Sequence, residues 1–192
     1  QPKTGVYTNT QMEENGWTSV GLASVECLLS QSPDVQKWAA TARRWMFCTA
    51  TAQQDTKNQA LFDEGKTVAA WTERLFTALP DYMAENHGMV HPSYTASSVN
   101  FLGNLGIVYG LHGKRAPKQA FFNRQIIYDQ LKRTADRNGY LHPVQGMDWP
   151  YLPPDPGASL HAAAALLLKD ADAAQLERRA LAFLEQRTAG TG

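Results

Sequence analysis

Residues 85–94 read ENHGMVHPSY, a stretch that carries two imidazoles, a carboxylate, an amide and a phenol. An imidazole titrates near neutral pH, so His87 and His91 can take up a proton, and the phenol of Tyr94 can give one back. The separation of His87 and His91 would let both rings share a metal on a helix. Gly88 and Pro92 argue against a helix running through the pair, and no glutamate completes an HExxH arrangement, so no metal is expected. Neither a GxSxG elbow nor a cysteine beside a histidine-bearing loop is present, and no glycine-rich phosphate loop appears. The chemistry available here is proton transfer and hydrogen bonding without a cofactor.

Two further stretches have the same character. Residues 10–19, TQMEENGWTS, supply Glu14, Asn15 and Trp17, and residues 141–157, LHPVQGMDWPYLPPDPG, supply His142, Asp148 and Trp149. Aromatic faces suit sugar rings, while amides and carboxylates suit hydroxyls, which together make the mixture of a carbohydrate site. Each stretch also has a structural reading. Asn86-His87-Gly88 can stop a helix with Gly88 left-handed, Pro92 and Ser93 can start the next one, and Glu13 and Glu14 can answer a helix dipole. His112 reads as a turn residue and His161 as one on a helix face.

The elements that must hold these residues are helices. From Thr18 the run TSVGLASVECLLSQ has a broad apolar arc, and after Ser32-Pro33-Asp34 the run to Ala50 spaces Val35, Trp38, Ala42, Trp45 and Met46 at helical intervals. These predict a first αα-hairpin. Residues 53–66 have no sustained period and read as a loop, after which Val68, Trp71, Leu75 and Leu79 predict a helix that Pro80 ends. A second hairpin follows from the small-residue run after Tyr94 and the run holding Phe121, Ile126, Ile127 and Leu131. A third pairs residues 158–168 with the charged run AQLERRALAFLEQR. Trp38, Trp45 and Trp71 lie at helical spacing and are expected in the core, as are the thiols of Cys27 and Cys48.

Each hairpin thus pairs an inner helix of small and aliphatic residues with an outer one of charged and bulky residues. Small residues permit close helix approach, and stacked pairs sharing a core form solenoids or closed toroids. The expected fold is all-α, a single domain over residues 1–192 of layered αα-hairpins forming a partial or incomplete (α/α) toroid. The three chemistry-bearing stretches each precede an inner helix, on one rim.

Composition excludes several partners. Lys plus Arg and Asp plus Glu number 18 each, so the formal net charge is zero, with none of the basic stripe of a nucleic-acid binder. No apolar run approaches the roughly 20 residues of a bilayer span, and the first residues, QPKTGVYTNT, lack the basic and apolar regions of a signal peptide. The chain reads as either cytoplasmic or already processed, and a mature extracellular or periplasmic chain is the expectation.

The phrases EENGW, ENHGMVHPSYTA and QGMDWP, each leading into an apolar helix, resemble the α/α-toroid group of chondroitin, hyaluronate and heparinase III-type polysaccharide lyases and related toroid proteins. The resemblance implies a site made of an asparagine, a histidine and a tyrosine around a cleft, acting on a polysaccharide or oligosaccharide that contains uronic acid. In β-elimination an amide such as Asn15 or Asn86 neutralises the uronate carboxylate, a base removes the C5 proton, and an acid protonates the departing oxygen. His91 is the expected base with His87 second; Tyr94 is the expected acid or an alternative base. Trp17 and Trp149 would stack on sugar rings. A glycoside hydrolase would instead use two facing carboxylates from Glu14, Glu85 and Asp148, and a non-catalytic module would bind glycan or protein through the rim. A toroid of this kind needs more helices than the chain supplies, which implies self-association or a longer parent.

Overall fold

Apolar residues at helical spacing do become helices. The computed structural model describes residues 11–145 and 157–189, which hold seven α-helices and two short antiparallel hairpins. The helices are α1 (Met12–Leu28), α2 (Val35–Cys48), α3 (Val68–Thr72), α4 (Pro92–Leu111), α5 (Arg124–Thr134), α6 (Ala158–Ala163) and α7 (Ala173–Thr188), with a π-helical turn, Ala164–Leu168, continuing α6. The strands are β1 (Leu61–Asp63) with β2 (Lys66–Thr67), and β3 (Glu85–Asn86) with β4 (Met89–Val90). The class is all-α.

Helix α4 is the centre. It packs on α1 along one flank and on α6 along the other, while α2, α5 and α7 pack on α1, α4 and α6 respectively. Leu102, Leu105 and Tyr109 of α4 meet Ala23 and Cys27 of α1 and Ala42 and Met46 of α2 in one apolar cluster. Ala96 and Val99 meet Ile127, Tyr128 and Leu131 of α5 and Leu160 of α6 in a second. An aromatic group closes the third, where Phe47 stacks on Phe122 at 4.0 Å and meets Trp71 and Phe62. Burial pushes the Cys48 thiol up to about 12, so it stays protonated and inert.

Close approach of α1 and α4 depends on Gly16. A Cβ at that position would lie 2.0 Å from the Phe101 ring. Gly16→Ala is therefore expected to destabilise the chain by about 1–3 kcal/mol through forced displacement of that ring, despite the better helix propensity of alanine. A thermal melt of the variant beside the parent measures it.

Several expectations made from sequence are corrected. Helix α1 begins at Met12 rather than Thr18, so EENGW forms its first two turns instead of a loop before it. Asn15 and Gly16 are tolerated there because both are buried against the neighbouring elements. The segment 53–66 is ordered by a 3₁₀ turn, Gln53–Lys57, and by the β1–β2 hairpin, whose turn residues Glu64 and Gly65 have φ of 51° and 69°. The helix expected to reach Leu79 stops at Thr72. Glu73 and Arg74 turn left-handed, and the chain then runs extended so that the N–H groups of Thr77 and Ala78 donate to Thr51 O.

That crossing completes the end of α2. An isolated helix leaves its last four carbonyls without partners, yet each of these has one: Trp45 O accepts from Thr49 N, Met46 O from Arg124 Nη2, Phe47 O from Ala50 N and Cys48 O from Thr77 Oγ1. Arg124 does this from complete burial. Burial lowers its guanidinium to about 9, which leaves it a cation at neutral pH, placed where the helix dipole is negative.

Among the outer contacts, Lys132 of α5 reaches Asp170 in the turn before α7 at 2.8 Å. Burial pushes the Asp170 carboxyl up, but hydrogen bonds from Lys132 and Gln125 outweigh it and hold it below the usual carboxylate range. Burial pulls the Lys132 ammonium down, and Asp170 and Asp129 more than restore it, so it ends raised. A depressed acid stabilises the fold above its unfolded pKa of about 3.9, and that contribution is lost as pH falls through the folded value. Acid unfolding of Asp170→Asn is thus expected to depend less on pH below about 4 than that of the parent, as read by denaturant titrations across that range.

Candidate functional site

The proton-handling stretch is a hairpin cap on two helix starts. Glu85 pairs with Val90 and Asn86 with Met89, while His87 and Gly88 form the two-residue turn with φ of 53° and 83°. The expected helix stop is thus a strand turn, with Gly88 still taking the left-handed position. Two φ > 0 residues match the right-handed twist of flanking strands, so an N-H-G sequence between short runs is the signal that marks it. Glu85 Oε1 accepts from Gly88 N at 2.7 Å and braces the turn.

Directly after β4 the chain enters α4, with His91 at the position before its first residue and Pro92 opening it, as expected. The His91 N–H donates to Ala84 O, and its carbonyl accepts from Thr95 N and Thr95 Oγ1. Its ring is buried, 3% exposed, and meets Tyr94 edge to face at 4.7 Å. His87 is exposed at the turn and lies 6.2 Å from the same phenol ring. Tyr94 stands between the two imidazoles and is half-buried.

The first stretch comes to the same place. Met12, Glu14, Glu85, Asn86 and Tyr94 line one small recess that no water-sized sphere enters. Asn15 is fully buried beside it in α1, and Asn86 is 6% exposed. The Asn86 Oδ1 has no hydrogen-bond partner among the described residues, and a buried acceptor left this way carries a desolvation cost. Trp17 is 60% exposed. Its indole N–H donates to Glu13 Oε1 and its ring leans on Phe101 at 4.9 Å, which leaves a braced, open aromatic face.

Among the described residues, the third stretch is joined to this end through Gln145. Gln145 Oε1 accepts from Val90 N at 2.6 Å. His142 is held by Asp136 at 3.3 Å on the exposed surface and is not brought against His87, His91 or Tyr94. Asp148 and Trp149 lie outside the described residues. What anchors the stretch is a residue expected on a helix face: His161 is fully buried, with Nε2 donating to Gly139 O and Nδ1 accepting from Tyr128 O–H, both at 2.8 Å. The carbonyl fixes this tautomer because it can only accept. Gly139 and Gly157 flank the ring so closely that a Cβ on either would lie 2.9 Å from Nε2.

Among the described residues no group of three or more His, Cys, Asp or Glu side chains is arranged to hold a metal ion. No helix among them is long and apolar enough to cross a membrane. Comparisons of the chain with family models, with curated proteins and with solved structures find no match.

Proposed function

We propose that the chain is a carbohydrate-active protein which cleaves uronic-acid-containing polysaccharides by β-elimination, its helix pairs forming part of an (α/α) toroid that works outside the cell or in the periplasm. One observation carries the reading: an asparagine with a buried unpartnered oxygen, a half-buried tyrosine and an exposed histidine meet where α1 and α4 begin, with Trp17 exposed further along α1. Asn86 turns its amide N–H toward the carboxylate at C5 and donates to it, and Trp17 takes a sugar ring. His87, the exposed imidazole, removes the C5 proton; the C4–O4 bond breaks as a C4=C5 double bond forms, and Tyr94 protonates the departing O4. His91 is the base that sequence spacing favours, but its burial against Tyr94 suits it to holding the phenol in place.

Glu14 and Glu85 line the same recess, which favours glycoside hydrolysis as the second reading. An absorbance scan across a panel of uronic-acid polysaccharides separates the two, because elimination leaves an unsaturated uronate that absorbs in the near ultraviolet and hydrolysis leaves none. New reducing ends without that absorbance, lost in Glu14→Gln and Glu85→Gln, would establish the hydrolase. Neither signal, with glycan binding that disappears in Trp17→Ala, would establish a binding module.

A further inference from the structure

Helices α1, α4 and α6 lie side by side, and the face they turn away from α2, α5 and α7 is open. Along it stand Leu28, Ile107, Leu111 and Leu166, exposed by 69%, 62%, 80% and 68%. Between α4 and α6 the same face is cut by a groove of about 650 Å³. Its floor is small, with Gly103 against Ala163 and Gly106 against Leu167, and no charged side chain lines it.

We propose that this face is an isologous interface and that its occupant is a second copy of the chain. Three features favour a copy of itself. Area is the first. Taking on the order of 150 Å² for a large apolar side chain when fully exposed, the low end of the aromatic range, the four residues leave roughly 400 Å² in water. The glycines, alanines and asparagines between them extend this toward the ~800 Å² per partner of a standard interface.

Shape is the second, since projecting Ile107, Leu111 and Leu166 and a glycine-floored groove occupy one patch, which a two-fold axis requires to fit itself. Charge is the third: an uncharged patch meets its own copy without like-charge repulsion, and Asn100 and Asn104 on α4 carry amides that both donate and accept, so each can pair with its own symmetry mate. The proposal is independent of the chemistry assigned to the rim.

Sedimentation equilibrium of the parent chain over a wide concentration range tests it, beside Ile107→Glu, Leu166→Glu and the control Leu61→Glu. Leu61 is 79% exposed on β1, off the row. The parent and the control are expected at twice the mass of one chain, and the two row variants at the mass of one. All three positions are exposed, so far-ultraviolet circular dichroism of the variants should match the parent. A parent that remains at single mass up to its solubility limit would overturn the proposal, as would double mass persisting in both row variants.

Discussion

Tyr94→Phe is expected to lower the rate of unsaturated product formation by roughly 100- to 10,000-fold, the range that general acid–base groups supply. The substitution removes one oxygen and leaves the ring, which keeps its edge contact with His91 and its place over the second apolar cluster. Folding and glycan binding should therefore change little, and the loss should fall on the chemical step. His87→Ala is expected to fall in the same range, whereas His91→Ala should lose activity together with thermal stability, because it empties a buried site beside Tyr94. Steady-state rates read at the near-ultraviolet band, with binding measured in parallel, distinguish these outcomes. Full activity in Tyr94→Phe would remove the phenol from the mechanism.

Arg124→Ala is expected to cost about 3–5 kcal/mol of stability, enough to leave a marginal domain largely unfolded. Among the described residues the side chain is the largest one wholly buried, so its removal opens a cavity. It also strips Met46 O of its donor at the end of α2. Arg124→Met separates these effects. The thioether fills most of the volume and removes a cation that has no carboxylate opposite it among the described residues, while the carbonyl still loses its partner at a cost of about 1–3 kcal/mol. Denaturant titration should thus place the methionine variant well above the alanine one. Equal losses in both would show that the hydrogen bond alone matters.

Residue spacing marks the long helices well and the short elements poorly. The periodic runs of α2, α4, α5 and α7 lie where spacing predicts, because an apolar stripe repeated over three or more turns leaves few other ways to be buried. Local spacing over the segment from Gln53 to Thr77 predicts a loop and a helix. That segment is a 3₁₀ turn, a hairpin, one and a half turns of α3 and an extended crossing. Here the deciding interactions are with Thr51 and the end of α2, residues that no local window includes. The role of Arg124 is illegible in the sequence for a related reason: a charged residue at a helix start reads as solvated until its burial is seen.

The amino-acid sequence by itself determined the all-α class, the pairing of small-residue helices with charged ones, and the concentration of His, Asn, Tyr and Trp in three stretches, since each follows from residue type and spacing. It also determined the left-handed turn at Gly88 and the helix start at Pro92, which are properties of single residues. Only the tertiary structure decided that ENHG is a hairpin tip rather than a helix end, that His87 faces water while His91 is buried, and that Glu14 comes to the recess beside Glu85, Asn86 and Tyr94. Exposure and proximity belong to packing. They depend on which neighbour covers a side chain, and that neighbour lies here more than seventy residues away along the chain, on α1.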